Sequence, residues 1–462
     1  EFRFSNYSKA MLVTKSSSTT ELPLPPGPRL RGLFRMFSQS PPEFLLGLTR
    51  EYGDVVRFRG FFPVFSINHP DYVRQILTQA YPKYTKNTID YRVIARTLGN
   101  GLVTNDGPDW TRQRRLMQPV FSSRTINAFD TTINELTAHL ATQWVGKRAD
   151  EVVWLDRDMS RITFQVVVRT LFGADIDDIA DEMVNILAVI NQHPLQFSAF
   201  MTLYPWLPLP SNRRFLRIKR RLEEIVDGLV AMHREGDGSG NDIVDRLLAA
   251  RDEETGEGMS EAQIRDEIIT LMLAGHETSA TALTWTFYLL AQQPDVEARL
   301  CEELTRVLGG RAAASGDLPQ LPYLKQVVQE SMRLYPPVWG IARRCTEETE
   351  FGGYRIPRDA YIAITIYALH RHRDYWPDAE RFDPDRFDAN RTESRHSYSY
   401  LPFAAGPRAC IGAGMAMLEV QLVLAQLLQR FRARPLAGHP IVPQAVVTLK
   451  TRYGLPVNIT PR

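Results

Sequence analysis

Phe403-Ala-Ala-Gly406-Pro-Arg408-Ala-Cys410-Ile-Gly412 is the stretch on which the reading of this chain turns. It sets one cysteine behind a glycine-rich turn, with a cation two residues before it and a helix-like apolar run, Met415-Ala-Met-Leu-Glu-Val-Gln-Leu-Val-Leu, after it. Backbone N–H groups at a helix start and a nearby guanidinium both favour the charged form of a thiol. A sulfur so placed suits an iron ligand. Free cysteines are usually small buried apolar residues, and the turn glycines and Arg408 weigh against that plain reading here.

Phe403, Gly406, Arg408, Cys410 and Gly412 match every fixed position of the pattern F-x-x-G-x-R-x-C-x-G. The loop resembles the haem-binding loop of the cytochrome P-450 superfamily, the haem-thiolate monooxygenases. The resemblance implies a haem b (iron protoporphyrin IX) enzyme with Cys410 as the metal ligand and Phe403, Arg408 and Gly412 around the cofactor. It implies a mainly α fold with a small β region, in which a long central helix crosses the haem and the cysteine loop lies on its proximal side. A soluble, bacterial-type member without a fused reductase is the expected form.

The chain of 462 residues can bury a large core, and its 44% hydrophobic and 23% charged residues are those of an ordinary globular protein. A formal charge of +2 gives no global reason to expect nucleic acid. Cys301, Cys345 and Cys410 lie far apart with no C-x-x-C spacing, which indicates neither a disulfide framework nor a zinc site and favours a reducing cytoplasm. No run approaches the roughly 18 apolar residues of a membrane span, and no signal-peptide core is visible. Residues 1–20 read as a flexible tail, partly vector-derived if Met11 is the natural start, and 21–462 as one haem domain. The proline-rich lead-in Leu22-Pro-Leu-Pro-Pro-Gly-Pro-Arg29 resembles the hinge that follows an anchor helix in membrane-bound members of the family, so a removed anchor stays open.

Helical periodicity dominates from about residue 109 to 335, for example in Val184-Asn-Ile-Leu-Ala-Val-Ile and Phe215-Leu-Arg-Ile-Lys-Arg-Arg-Leu-Glu-Glu-Ile-Val. Strand-like segments are short: Val55–Phe58, Val64–Ile67, Tyr354–Ile356, Tyr361–Ile366 and Val446–Leu449. Ser260-Glu-Ala-Gln263 is a capping-box start, after which apolar residues continue without proline to Gln293, where Pro294 stops the run. That run predicts a rod of roughly 50 Å.

Midway along the rod lies Ala274-Gly275-His276-Glu277-Thr278. A helical glycine costs about 1 kcal/mol relative to alanine, and a threonine hydroxyl competes for backbone carbonyls, so a local opening of the helix is expected. The segment resembles the family's A-G-x-[D/E]-T motif, which implies proton delivery by Glu277 and Thr278. Glu330-Ser-Met-Arg333 places a carboxylate and a guanidinium on one helix face, and with Arg386 in Phe382-Asp-Pro384-Asp385-Arg386 it resembles the family's structural Glu-Arg-Arg network. Asp385 stands where a glutamate is more common. Trp110-Thr-Arg-Gln-Arg114 resembles W-x-x-x-R, which implies propionate contacts for Trp110 and Arg114. Arg343, next to Arg344, and Arg408 are the further expected propionate partners, since bidentate guanidinium suits carboxylates.

His370 and His372 have strand spacing but no evident third ligand, which argues against a metal site. The chain ends about 50 residues past Cys410, so electrons are expected from a separate ferredoxin or flavodoxin with its reductase. Arg112 and Arg115 are the candidate docking cations. The resemblance places Ala274, Val338, Ile341 and Val447, together with residues 84–109 and 194–206, around a pocket for a hydrophobic small molecule and dioxygen. Fatty acid, terpenoid, steroid and macrolide all fit, although Arg59 is the lone cation of the first strands, which weakens a carboxylate anchor. A peroxide-driven peroxygenase or isomerase on the same fold is the rival chemistry, and a haem-binding or gas-sensing protein the rival class. The chain is taken to act as a monomer.

Overall fold

The computed structural model describes residues 22–28, 40–59, 62–148, 151–173, 183, 186, 210–236 and 242–462. The N-terminal tail, the stretch 194–206 and most of the Val184 periodicity lie outside these residues. The helices that frame the site are α1 (Gly107–Met117), α2 (Leu155–Phe172), α3 (Pro210–Arg234), α4 (Glu261–Gln292), α5 (Pro322–Leu334) and α6 (Ala413–Arg430).

Helix α4 begins as its sequence demands. Ser260 Oγ accepts the Gln263 backbone N–H, and the Gln263 side chain accepts the Ser260 N–H, so both halves of the capping box are formed. Its 32 residues give a rod of about 48 Å. Apolar residues are buried nearly all round it, from Ile264 and Ile268 to Leu283 and Trp285, as expected of a helix that runs through the core. Thr284 and Thr286 sit in this apolar setting because each hydroxyl donates to the carbonyl four residues back. Helix α2 packs along α4, and Thr163 of α2 donates to the His276 carbonyl at 2.9 Å.

The β region is small. A five-stranded sheet has the order β1 (Val55–Arg59), β2 (Pro63–Ile67), β8 (Tyr361–Ile364), β5 (Ile341–Cys345), β3 (Tyr84–Thr85), parallel only between β2 and β8. A second sheet joins β4 (Val152–Trp154), β12 (Pro456–Pro461) and β9 (Phe431–Pro435), and two-stranded ribbons are made by β6 (Thr349–Phe351) with β7 (Tyr354–Ile356) and by β10 (Pro443–Ala445) with β11 (Leu449–Thr451). Val446–Leu449, read above as a strand, is mostly the turn of the last ribbon, where Val446 N–H donates to Thr448 O. Period-two alternation survives in a turn whose ends are strands.

Glu330 and Arg333 of α5 are fully buried and joined by two hydrogen bonds of 2.6 and 2.8 Å. Arg333 also donates to the carbonyls of His370, Ala379 and Arg381, while Glu330 accepts the Asp383 N–H and stands 3.4 Å from Arg386. One ion pair therefore pins the 370–386 loop to the helix. Asp385 is turned outward to Arg299. Removing one partner of a buried pair leaves an uncompensated charge, so Glu330→Ala is expected to cost about 3–5 kcal/mol. Denaturant unfolding of the variant checks this, and a loss under about 1 kcal/mol would contradict a network that holds the loop.

Candidate active site

A cavity of about 340 Å³ separates the distal helix α4 from the cysteine loop and the start of α6. The loop is built by backbone constraints. Cys410 N–H donates to Phe403 O at 2.9 Å, closing the turn. Gly406 has φ +74°, and a Cβ there would come within 2.0 Å of Leu77 O, so only glycine fits. Ala404 takes a left-handed φ of +55° without that freedom, a strain that clusters at functional loops. At Gly412 a Cβ would meet no protein atom and would stand at the cavity wall.

Cys410 is accessible, but to the cavity that it lines. Burial pushes its thiol up, while the Gly412 N–H and the Arg114 guanidinium pull it down. The cation that acts on the sulfur is thus Arg114 of α1, and not Arg408 as the sequence spacing implies. Arg114 also donates to Ala409 O at 3.0 Å. Arg408 instead turns away from the sulfur: it pairs with Asp106, and its guanidinium lies 4.0 Å over the Trp110 ring.

Cations converge at this end of the cavity. Lys86, Arg114, Arg343 and Arg408 all line it, and Trp110 and Tyr91 stand among them. Strand alternation in β5 sends Arg343 inward, 3.4 Å from Tyr91 Oη, and Arg344 outward to Asp359. Lys86 is buried, donates to Leu102 O and Val103 O, and has its pKa lowered by burial and by Arg343 and Arg408, against Asp106 alone. The buried Arg408 Nε has no partner. A surplus of desolvated positive charge beside an unused N–H fits the two carboxylates of a haem, and the thiol at the opposite side fits its iron.

The distal wall is apolar, with Leu102, Val103, Val167, Leu271, Ala274 and Ile341 among its residues, and Val338 lies at its edge. Thr170, Thr270, Thr278 and Ser279 contribute hydroxyls. The expected opening of α4 is not seen: the helix is continuous, and Thr278 Oγ1 donates to Ala274 O at 2.7 Å. Gly275 has a packing reason instead, because a Cβ would lie 2.8 Å from Val167 Cγ2, so glycine lets α2 approach. Glu277 is buried, pairs with Lys450 of β11 and does not line the cavity. His276 is buried edge-on to Phe164.

Other expected residues fall outside the cavity. Val447 is 37% exposed at the tip of the β10–β11 ribbon and is not part of the lining. Arg112 and Arg115 are no bare cationic patch: Arg115 binds Asp252 and Glu254 at 2.7 and 2.6 Å, and Arg112 donates to Gly258 O at 2.8 Å. His370 is buried between Arg333 O and Leu401 N–H, and burial pushes it down to about 3, while His372 is held by Asp54. Three lining or supporting residues escape the sequence reading. Asp106 before Gly107-Pro108 carried an N-cap signal, Lys86 carried none, and Glu419 was hidden in an apolar run.

The sequence model of the family described as Cytochrome P450 matches residues 23–456. The chain is 37% identical over 429 residues to cyclooctatin synthase of Streptomyces melanosporofaciens, covering 92% of each. It is 34% identical over 401 residues to cyclooctat-9-en-7-ol 5-monooxygenase of the same organism, covering 86% of each. The crystal structure of a cytochrome P450 haem domain superposes with a TM-score of 0.85 at 24% identity, over 96% of this chain and 98% of that one.

Each charge-assisted hydrogen bond lost from a buried carboxylate is worth about 1.5–3 kcal/mol. Lys86→Met and Arg408→Ala are therefore each expected to raise the haem dissociation constant roughly tenfold to a hundredfold. Haem transfer to apomyoglobin measures it, and unchanged retention in both variants would remove the cationic end as the propionate site.

Proposed function

The chain belongs to the cytochrome P450 family and is a haem-dependent monooxygenase, and from that premise we propose that it hydroxylates a cyclic terpenoid, with haem b as its cofactor and a separate ferredoxin or flavodoxin as its electron donor. The observation that carries the substrate class is the division of the cavity. Its cations stand together at the Trp110 end, and the distal wall between α2 and α4 offers only apolar side chains and hydroxyls. A fatty-acid carboxylate would find no partner there, since Arg59 is exposed at the end of β1 and does not line the cavity. An apolar ring system with at most a hydroxyl matches such a surface. The name of one relative, cyclooctat-9-en-7-ol 5-monooxygenase, denotes a substrate of that kind.

Bound in this cavity, the haem supplies the activation of dioxygen and the oxidising power for an unactivated C–H bond. The protein supplies the rest. Cys410 would hold the iron, and Lys86, Arg343 and Arg408 the carboxylates, with Trp110 stacked beneath Arg408. The apolar wall excludes water from the substrate and orients it by shape. Thr278 gives its own hydrogen to Ala274 O, which leaves its lone pairs to accept a hydrogen bond from water in the cavity. Glu277, one residue earlier, is turned to Lys450, whose side chain is 40% exposed and so links it to solvent. Together they are the proposed proton-delivery pair.

Among the described residues no helix is long and apolar enough to cross a membrane. All three cysteines are unpaired, which supports a reducing cytoplasm. Because Arg112 and Arg115 are already engaged by the 252–258 segment, an acidic donor needs other cations for docking.

Three outcomes are expected. Cys410→Ser removes the red-shifted Soret band of the reduced carbon monoxide complex; its retention would refute the ligand. Thr278→Ala lowers product formed per electron pair roughly tenfold and releases peroxide in its place, and unchanged coupling would count against its role. Titrations followed by the haem spin state give a cyclic diterpene at least about tenfold tighter binding than a long-chain fatty acid, and the reverse order would overturn the substrate class.

A further inference from the structure

Three oxygens from three segments of the chain converge on one imidazole behind the cavity wall. His233 stands in the last turn of α3, and its side chain is 4% exposed. Its Nδ1 lies 2.8 Å from Leu229 O, and its Nε2 lies 2.9 Å from Asp242 Oδ2 and 3.2 Å from Phe172 O. All three partners are acceptors. A neutral imidazole carries one N–H and one lone pair, so at one of its two nitrogens it would turn that lone pair on an oxygen. Only the imidazolium, with a hydrogen on each nitrogen, satisfies the whole set.

The surroundings favour that charge. The Asp242 side chain is 2% exposed, and a carboxylate so deeply buried needs a cation beside it. Phe172 is the last residue of α2, so its carbonyl belongs to the partly negative end of that helix, where a cation is stabilised. Among the described residues, the charged groups that face the ring are Asp242, which caps the short helix Ile243–Ala249, and Asp245 in its first turn. From α2 the ring meets the Phe172 carbonyl and phenyl group, and from α3 the Leu229 carbonyl. Burial by itself pushes the His233 pKa down, but the Leu229 carbonyl and the two aspartates outweigh it and the net direction is up. The charged form is therefore complete below the ordinary histidine value of about 6.5 and is lost as pH rises above it.

The clamp reaches the cavity through its neighbours in the chain. Leu171 precedes Phe172, Ile243 follows Asp242, and both line the cavity. One ring thus ties the end of α2 to the start of the short helix, behind the wall that these two side chains help to form. We propose that His233 is a positioning residue for the cavity's ligand: as an imidazolium it holds Leu171 and Ile243 in place, and loss of its proton to solvent slackens that wall and weakens ligand binding. By linkage, a ligand that fits the closed wall makes the ring hold its proton more tightly. The inference rests on the reading of this cavity as the substrate site.

The test uses the haem-loaded protein, unmodified and as His233→Gln and His233→Arg. In the reduced carbon monoxide form labelled with nitrogen-15 histidine, His233 is the signal pair missing from His233→Gln. Both of its nitrogens are expected to be protonated at about pH 6.5, with one proton lost toward about pH 9. The neutral diterpene diol sclareol, whose own charge does not change with pH, serves as the ligand in spin-state titrations. Its dissociation constant is expected to rise about twofold to thirtyfold over that range in the unmodified protein. In His233→Gln it should be high and flat. In His233→Arg, which keeps its charge throughout, it should also be flat. The rate of carbon monoxide rebinding after photolysis, which depends on the same wall, should likewise vary with pH in the unmodified protein and not in His233→Gln. The carbon monoxide spectrum shows which variants keep the haem, and His233→Arg serves where His233→Gln does not. A ring with a single proton at about pH 6.5, or pH profiles that are the same in the unmodified protein and the variants, overturns the inference. If sclareol shifts the spin state at no pH, the substrate reading fails separately, and the nitrogen titration with the rebinding rates still decides the role of His233.

Discussion

The carboxylate of Asp106 is the contact on which the site's assembly depends. It caps α1 through the Gly107 N–H, accepts the Lys86 N–H at 2.6 Å and pairs with Arg408 of the cysteine loop. Three segments far apart in sequence, near residues 86, 106 and 408, meet at one anion. An N-cap alone is worth about 1 kcal/mol, but this one also sets the direction of α1. Trp110 and Arg114 then project one turn apart onto the cysteine loop. The short carboxylate cannot cancel the surrounding cations, so the end of the cavity keeps a positive surplus for the cofactor's carboxylates. Fold and cofactor site are thus the same arrangement of charge.

How much of this is legible in the chain follows from how local each cause is. The capping box at Ser260, the stop at Pro294 and the strands at Val55, Val64 and Tyr354 depend on neighbours within a few residues, and the structure forms them there. The turn of the cysteine loop is also local, because the positive φ of Gly406 and the Phe403–Cys410 hydrogen bond lie within eight residues, while the close approach of Leu77 O to Gly406 comes from elsewhere in the fold. What the sequence hides is set by partners elsewhere. Gly275 is a glycine because of Val167 on α2, a reason no inspection of Ala274–Thr278 can supply. Arg112 and Arg115 read as a free basic patch until the 252–258 segment folds over them. Val447 keeps a strand's alternation while standing in a turn.

Lys86 and Glu419 show the opposite failure. Neither type of residue is expected to be fully buried, so a lysine in a loop and a glutamate in an apolar helix both read as solvent-facing. Lys86 is nonetheless buried against the Leu102 and Val103 carbonyls and Glu419 against Ser279, and both line the cavity. Buried ionisable groups beside a cavity are a mark of functional sites, and the two here flank the same space at its cationic and its helical ends.

The position of Glu277 constrains how protons can move. A helix turns about 100° per residue, so Glu277 and Thr278 cannot share one face, and the structure gives the cavity to Thr278 and the Lys450 contact to Glu277. The Lys450 contact holds the Glu277 side chain on the side of α4 turned from the cavity. Proton delivery from Glu277 to Thr278 therefore has to cross from one face of α4 to another, and water between the two must carry it.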